Sequence, residues 1–281
     1  MMIKIDKDNK KNIFSKIIEW YRYHFFDSVS TNKENIKLVR KLLKDKYSKK
    51  CFSSYCSFYY SFLRDKTPHC YASFKELEHP KVNIKEGDVV FDIGISGDTE
   101  MTEKMILLSG INGKIIGIEA NPKVLNKIKN NLCEYKNFEL YNYALYGYDG
   151  IGVFDLGSTP NCDVNCYGRI PDQYFNTENQ INVEYITLDT FIEKYNIEKL
   201  DFIKIDIECA EVEAIKASEK TLKKFKPNLA ISCHHEGYVI NIIKYMNSLD
   251  LDYDFYLAQM QCFSAENLYW RDYIVYATAR K

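Results

Sequence analysis

The residues best suited to chemistry lie between two apolar runs in the first half of the chain. Asp92 lies near the end of the run 89–93, whose β-branched and aromatic residues are typical of a buried strand. Gly94 and Gly97 follow, and Glu119 ends the next apolar run. Glycines at a strand-to-helix turn let a ligand approach the backbone, and an acid about twenty residues later can accept both hydroxyls of a ribose. The spacing predicts a nucleoside site.

This arrangement is used for two kinds of cofactor, NAD and S-adenosylmethionine, so the glycine turn alone does not choose between them. The candidates for contact with the cofactor lie in this stretch and just beyond the third predicted strand. They are Asp92, Gly94, Ser96, Gly97, Thr99, Glu119, Ala120, Ala144 and Leu145.

Two carboxylates and two histidines follow later apolar runs. Asp206 and Glu208 come at the end of one run, and His234 and His235 follow the next. Because the carboxyl ends of parallel strands meet at one edge of a sheet, we expect all four beside Glu119. A histidine there could act as general base toward a hydroxyl group. Alternatively Asp206, Glu208 and His235 could hold a divalent metal such as Mg²⁺, which would lower the pKa of that hydroxyl. A structural role for each histidine is equally open.

Two neighbouring charged residues are interpreted as structural. Lys204, inside a buried strand, is expected to turn inward and pair with an acid. Glu211 falls in the first turn of the following helix, where an acid complements the helix dipole, although a role in the site is about as well supported.

Strands and helices alternate along most of the chain, which predicts an α/β fold. The predicted helices include 99–109, capped by Asp98 or Thr99, and also 122–132 and 210–225, and the last two strands are expected near 253–257 and 273–279. The expected architecture is a Rossmann-like, doubly wound, seven-stranded sheet, mostly parallel, with an antiparallel last strand. Residues 1–83 form a helical, aromatic-rich extension, with an amphipathic segment at 13–26 and a lid-like aromatic piece at 52–63. Residues 84–281 form the main domain, in which 156–179 is a long loop.

Composition restricts the possible partners and compartment. The 281 residues carry a net charge of -1, so the charge balance offers no basic field for nucleic acid. The nine cysteines are scattered without paired spacing, which favours free thiols in a reducing, cytoplasmic compartment. We expect neither a membrane span nor a signal peptide. The aromatic extension is compatible with a homodimer.

Taken in order, these blocks resemble the signature of FkbM-type S-adenosylmethionine-dependent methyltransferases. The matching segments are Asp92-Ile-Gly94 with Gly97-Asp98-Thr99, Gly117-Ile-Glu119-Ala-Asn121-Pro122, Leu188-Asp189, residues 201–211 and Pro227 to His235. The resemblance covers roughly residue 84 onward. Two departures from the family pattern stand out, namely only two residues between Gly94 and Gly97 and a cysteine, Cys209, where the family has glycine.

The resemblance implies an O-methyltransferase of the class I fold, acting on a hydroxyl of a sugar, a surface polysaccharide precursor or a related small molecule. Glu119 would bind the ribose, Gly94 and Gly97 the methionine part, and Asp92 the cofactor's amino group. Two other functions stay open. An NAD-dependent oxidoreductase or epimerase is disfavoured by the closing pair of strands, and a non-catalytic nucleoside-binding scaffold is kept open by the two departures.

Overall fold

A computed structural model describes residues 32–61, 79–156, 170–171, 178–233, 237–265 and 268–280. Within these ranges, side chains of 54, 57–61, 260–265 and 268–272 are left undescribed. The helices are α1 (Lys33–Leu42), α2 (Lys46–Ser61), α3 (Glu100–Ser109), α4 (Pro122–Leu132), α5 (Leu188–Lys194), α6 (Glu211–Lys216), α7 (Glu219–Phe225) and α8 (Tyr238–Ser248). The strands are β1 (Val89–Ile93), β2 (Lys114–Ile118), β3 (Phe138–Tyr141), β4 (Ala144–Leu145), β5 (Gly150–Asp155), β6 (Gln180–Ile186), β7 (Phe202–Ile205), β8 (Asn228–Cys233), β9 (Tyr253–Ala265) and β10 (Leu268–Ala279).

The main sheet has seven strands in the order β3-β2-β1-β7-β8-β10-β9. The five strands β3, β2, β1, β7 and β8 run parallel to one another, whereas β10 is antiparallel to both of its neighbours. The predicted Rossmann-like sheet with an antiparallel last strand is therefore confirmed. The reversal of order beside β1 places the carboxyl ends of β1, β2 and β7 together, which is where ligands bind in such sheets.

A second sheet, which the sequence did not predict, lies outside the main one. It has three strands in the order β4-β6-β5, with β5 antiparallel to β6. Phe154 and Leu156 pack with Val183 and Tyr185 to form its small apolar core. The sheet follows β3 directly, so it stands beside the carboxyl edge of the main sheet.

Helix α4, which follows β2, shows how local sequence sets element boundaries. The side-chain oxygen of Asn121 accepts a hydrogen bond from Lys123 N (3.0 Å), and Pro122 occupies the first turn of α4. Both residues are favoured there because the first N–H groups of a helix need an outside acceptor and proline lacks one of those groups. The predicted helix at 122–132 has the observed bounds of α4.

The predicted helix 210–225 is divided into α6 and α7 at residues 217–218. The break is stabilised from another helix. Asp189, in the first turn of α5, accepts hydrogen bonds from Lys220 N (3.0 Å) and Thr221 N (2.8 Å). These are two of the N–H groups at the start of α7 that have no partner inside the helix. The family motif residue Asp189 therefore has a structural contact in this chain.

The described part of the N-terminal extension packs on the edge of the main sheet. Val39 of α1, Leu43 just after α1, and Phe52 and Tyr55 of α2 belong to the same apolar core as the sheet. Lys44 N also donates to the Phe255 carbonyl oxygen of β9 (3.0 Å). The structure describes residues 52–61 of the lid-like aromatic piece predicted at 52–63. They form the second part of α2, a helix that packs against β9.

Several predicted segments fall outside the described residues or differ in length. The amphipathic segment 13–26 and most of the loop 156–179 lie outside them. Strands β9 and β10 are longer than predicted, since their pairing continues to Ala265 and Leu268. Among the described residues, no helix is long and apolar enough to cross a membrane.

We predict that Asp189→Ala destabilises the protein by about 1–2 kcal/mol, the usual loss when a capping side chain is removed. Asp189→Asn should lose less than half of that, because its amide oxygen still accepts one of the N–H groups. The measurement is the free energy of unfolding in urea. Glu198→Ala, at an exposed acid, is the control and should change stability by less than about 0.5 kcal/mol. Equal effects of Asp189→Ala and the control would contradict the capping role.

Candidate active site

A cavity of about 200 Å³ lies at the carboxyl ends of β1, β2 and β7. Nine of the predicted site residues line it, namely Gly94, Ser96, Gly97, Glu119, Ala120, Ala144, Leu145, Asp206 and Glu208. They come from the turn after β1, the end of β2, strand β4 and the turn after β7. The main sheet therefore brings residues more than a hundred positions apart in sequence to one crevice.

The turn after β1 requires glycine at its first position. Gly94 has φ of +82°, a conformation that residues with a side chain rarely adopt. A Cβ atom at this position would overlap the backbone carbonyl oxygen of Asp206. Gly94 N donates to the Ile118 carbonyl oxygen (2.9 Å). This glycine thus lets the chain ends of β1, β2 and β7 approach each other.

The carboxyl group of Glu119, which lines the cavity, has a perturbed pKa. Its side chain is buried, with the residue only 9% exposed, and it accepts hydrogen bonds from Asn121 N (2.6 Å) and from the backbone N–H of Ile95. Burial raises the pKa of its carboxyl from 4.5 to about 7, although these hydrogen bonds and the positive charge of Lys204 oppose the shift. A carboxylate held in place and poorly solvated is suited to accept hydrogen bonds from a ligand that brings its own donors.

Asp92 does not line the cavity. It is 1% exposed, and its Oδ1 forms an ion pair with Lys204 Nζ (3.2 Å) on the neighbouring strand. Thr102 Oγ1 donates to Asp92 Oδ2 (2.7 Å), and Lys204 Nζ also donates to the Gly94 carbonyl oxygen (2.6 Å). The expected inward pairing of Lys204 with an acid is present. Asp92 supports the glycine turn through Lys204, which binds the Gly94 carbonyl oxygen.

Thr99, another predicted cofactor residue, is also outside the cavity lining. It precedes α3 in the left-handed conformation, with φ of +57°, and its side chain does not cap the helix. Its Oγ1 donates instead to Glu103 Oε1 (3.0 Å) and accepts from Asn131 Nδ2 (3.2 Å). The Thr99 side chain therefore does not make the capping hydrogen bond expected of Asp98 or Thr99. It links α3 to α4 instead.

The turn after β7 carries Asp206 and Glu208 into the cavity through a strained backbone. Glu208 and Cys209 have φ of +48° and +85°, and such conformations cost about 1–3 kcal/mol each for residues with a side chain. Glu211 Oε1 accepts from Ile207 N (3.1 Å), so this buried acid closes the turn from the start of α6. The family's glycine at the Cys209 position would adopt this φ without the cost.

The predicted histidines, His234 and His235, lie outside the described residues. His235 is also the third ligand of the predicted metal set. Within the described part of the chain, no group of three or more His, Cys, Asp or Glu side chains is placed to hold a metal ion. Asp206 and Glu208 both line the cavity and remain the described acids of that set.

Two apolar residues that were not predicted also line the cavity, namely Phe154, from β5 of the second sheet, and Ile170, which packs in the same apolar cluster. Tyr143 lines the cavity as well, and it lies just beyond β3, in the segment expected to border the cofactor. Tyr143 Oη is hydrogen-bonded to Tyr195 Oη (2.8 Å) and accepts from Lys194 Nζ (2.8 Å). Phe154 reaches the cavity because the second sheet lies beside this edge, and the sequence carries no signal for that placement.

We predict that Lys204→Met destabilises the protein by about 3–5 kcal/mol, because it leaves the buried Asp92 carboxylate without a countercharge. The double variant Lys204→Met/Asp92→Asn should recover at least half of the loss, since the charge is removed while Thr102 can still donate to the amide oxygen. Urea unfolding of the unaltered protein, the two single variants Lys204→Met and Asp92→Asn, and the double variant gives the coupling. A single-variant loss below about 1 kcal/mol would show that the ion pair does not support the fold.

Two of three comparisons with known proteins found matches, and both agree with this architecture. The model of the methyltransferase FkbM domain matches residues 88–255, which is more than half of the chain. A search of curated proteins finds no match. A methyltransferase FkbM from Methylobacillus flagellatus has a similar fold, with a TM-score of 0.59 and 17% identity over 86% of this chain. The chain spans only 58% of the length of that protein.

Two more distant structures are also similar. Fibrillarin from Aeropyrum pernix with bound S-adenosylmethionine has a TM-score of 0.39 and 15% identity over 69% of this chain and 67% of its own. A SAM-dependent O-methyltransferase from Thermotoga maritima has a TM-score of 0.40 and 13% identity over 81% of this chain and 72% of its own. Both scores are below 0.5, so the assignment rests on the family match. The chain belongs to the FkbM methyltransferase family, whose domain spans residues 88–255.

Proposed function

We propose that the protein is an O-methyltransferase that moves the methyl group of S-adenosylmethionine to a hydroxyl of a sugar, a surface polysaccharide precursor or a related small molecule. The observation that carries the proposal is the position of Glu119. Its buried carboxylate lies in the cavity at the end of β2, and the backbone N–H groups of Ile95 and Asn121 orient it. A carboxylate there can accept both hydroxyls of a ribose.

The rest of the cavity wall suits the two ends of the cofactor. Gly94, Ser96 and Gly97 expose backbone to the cavity, where the methionine part would lie. Ala120, Ala144 and Leu145 would border the adenine, together with Tyr143 and Phe154, which also line the cavity. Asp92 and Thr99 enter the proposal only as supports of the glycine turn, because their side chains are engaged with Lys204, Thr102 and Glu103.

The acids after β7 would handle the acceptor. In methyl transfer the acceptor oxygen attacks the methyl carbon in line, the sulfonium becomes a neutral thioether, and the hydroxyl proton leaves to a base. Asp206 and Glu208 line the cavity and can accept hydrogen bonds from hydroxyl groups, so either can orient the acceptor and take the proton. His235 or His234 is the alternative base in this proposal.

The acceptor class, the metal and the compartment belong to the same proposal. A panel of free sugars, nucleotide sugars and simple phenols, each with Mg²⁺ and with EDTA, would separate a sugar enzyme from other classes and would test the metal set of Asp206, Glu208 and His235. The described cysteines are free thiols, which suits the reducing cytoplasm.

We predict that S-adenosylhomocysteine binds with a Kd in the micromolar range and that Glu119→Ala weakens it by at least about tenfold, because two ribose hydroxyls lose their acceptor. Isothermal titration measures this, with NAD as the competing ligand. The control is Glu139→Ala, an acid on β3 that lies outside the cavity lining. Binding of NAD alone would favour an oxidoreductase, and binding of neither ligand would favour a non-catalytic scaffold.

We predict that affinity for S-adenosylhomocysteine falls as the pH drops below about 7. The proposed contact needs ionised Glu119, whose pKa in the free protein is raised to about 7. Affinity should level off above this pH and decline up to about tenfold per pH unit below it. Titrations between pH 5.5 and pH 8.5 measure the profile.

The matched variant for the pH profile is Glu119→Gln, which should bind more weakly and lose this dependence. The raised pKa also affects folding: Glu119 stabilises the unliganded folded protein relative to the unfolded chain. This contribution is fully present below about pH 4.5 and is lost as the pH rises through about 7. Affinity that is flat through pH 7 in the unaltered protein would contradict the ribose contact.

A further inference from the structure

The strained turn after β7 is contacted from α8. Tyr238 Oη donates a hydrogen bond to the carbonyl oxygen of Cys209 (2.7 Å), across 29 residues of sequence. Cys209 is the second of the two residues with positive φ, and Glu208, the first, lines the cavity. A turn that its own residues disfavour depends on such external contacts to keep its conformation.

Tyr238 is itself positioned by the N-terminal extension. It is the first residue of α8 and follows Gly237, which has φ of +80°. Gly237 N donates to Tyr55 Oη of α2 (2.9 Å), a buried contact between residues 182 positions apart. Tyr55 is held in turn by a stacked contact with Phe52 and an edge contact with Tyr273. A rigid aromatic group of the extension thus fixes the start of α8.

We propose that Tyr238 is a positioning residue for the acceptor side of the cavity, and that Tyr55 acts through it. The hydroxyl of Tyr238 keeps the Cys209 carbonyl in place, and thereby the backbone that carries Glu208 and Asp206. The extension is then part of the catalytic apparatus through this series of contacts. The inference rests on the proposed function in that the oriented acids are those that bind the acceptor.

The chain offers a closely matched control on the same helix. Tyr245 lies two turns further along α8, and its Oη donates to the carbonyl oxygen of Lys216 (2.9 Å) at the end of α6. Tyr238→Phe and Tyr245→Phe each remove one hydrogen bond from a tyrosine hydroxyl to a backbone carbonyl. Only the first of these bonds reaches the strained turn. A general loss of packing on α8 would affect both variants alike.

The first test is amide hydrogen exchange of the unliganded, full-length protein followed by mass spectrometry. Tyr238→Phe should speed exchange in peptides covering residues 206–211 by about fivefold to tenfold, the factor expected from one lost hydrogen bond. Tyr55→Phe should speed exchange at residue 237 and, to a smaller extent, at 206–211. Tyr245→Phe should leave 206–211 unchanged. Unchanged exchange in Tyr238→Phe, or equal increases in Tyr245→Phe, would overturn the inference.

The second test uses an acceptor found in the sugar and phenol panel. Tyr238→Phe should lower kcat by about tenfold to a hundredfold through misplacement of the acids, while KM for S-adenosylmethionine and the Kd of S-adenosylhomocysteine change less than about threefold. Tyr245→Phe should keep the unaltered kcat. Loss of cofactor affinity parallel to kcat would overturn a role confined to the acceptor side. Faster exchange in a protein that transfers no methyl group would overturn the proposed function and leave the coupling standing.

Discussion

The buried ion pair between Lys204 and Asp92 is the interaction on which the site depends most. The two residues lie opposite each other on the central strands β7 and β1, and Lys204 Nζ also binds the carbonyl oxygen of Gly94. One ammonium group therefore neutralises a buried carboxylate and anchors the turn that faces the ligand. Lys204 also lowers the cost of ionising Glu119, so the same charge contributes to both sides of the cavity.

The cavity combines a rigid part and a strained part. On the side proposed to hold the cofactor, Glu119 Oε1 accepts a hydrogen bond from Asn121 N, and Gly94 N donates to the Ile118 carbonyl oxygen. On the side proposed to hold the acceptor, Glu208 and Cys209 adopt conformations that their side chains disfavour. This division suits methyl transfer, because the donor needs only to be bound, whereas the acceptor oxygen must be aligned with the methyl group.

The sequence predicted those features that depend on local signals. Asn121 and Pro122 set the start of α4, and the apolar runs with terminal acids located the edge where the cavity lies. Features set by distant partners were missed. Asp92 and Glu119 each lie near the end of an apolar run, yet Glu119 lines the cavity and Asp92 does not. Asp92 pairs instead with Lys204, its cross-strand partner. Likewise, Asp189 ends the uninterrupted helix expected at 210–225 by binding N–H groups thirty-one and thirty-two residues away.

The strand order has a consequence for how the molecule can be assembled. Strand β10 lies between β8 and β9, so β9 has no place in the main sheet until the later strand β10 has been added. Helix α2 packs on β9, and α1 packs on α2 and α8, although both helices come first in the described chain. Helices α1 and α2 can therefore reach their final packing only after β9 and β10 have joined the sheet. Contacts between parts of the chain so distant in sequence slow folding. During synthesis, the acceptor side of the cavity would be the last part to acquire its support.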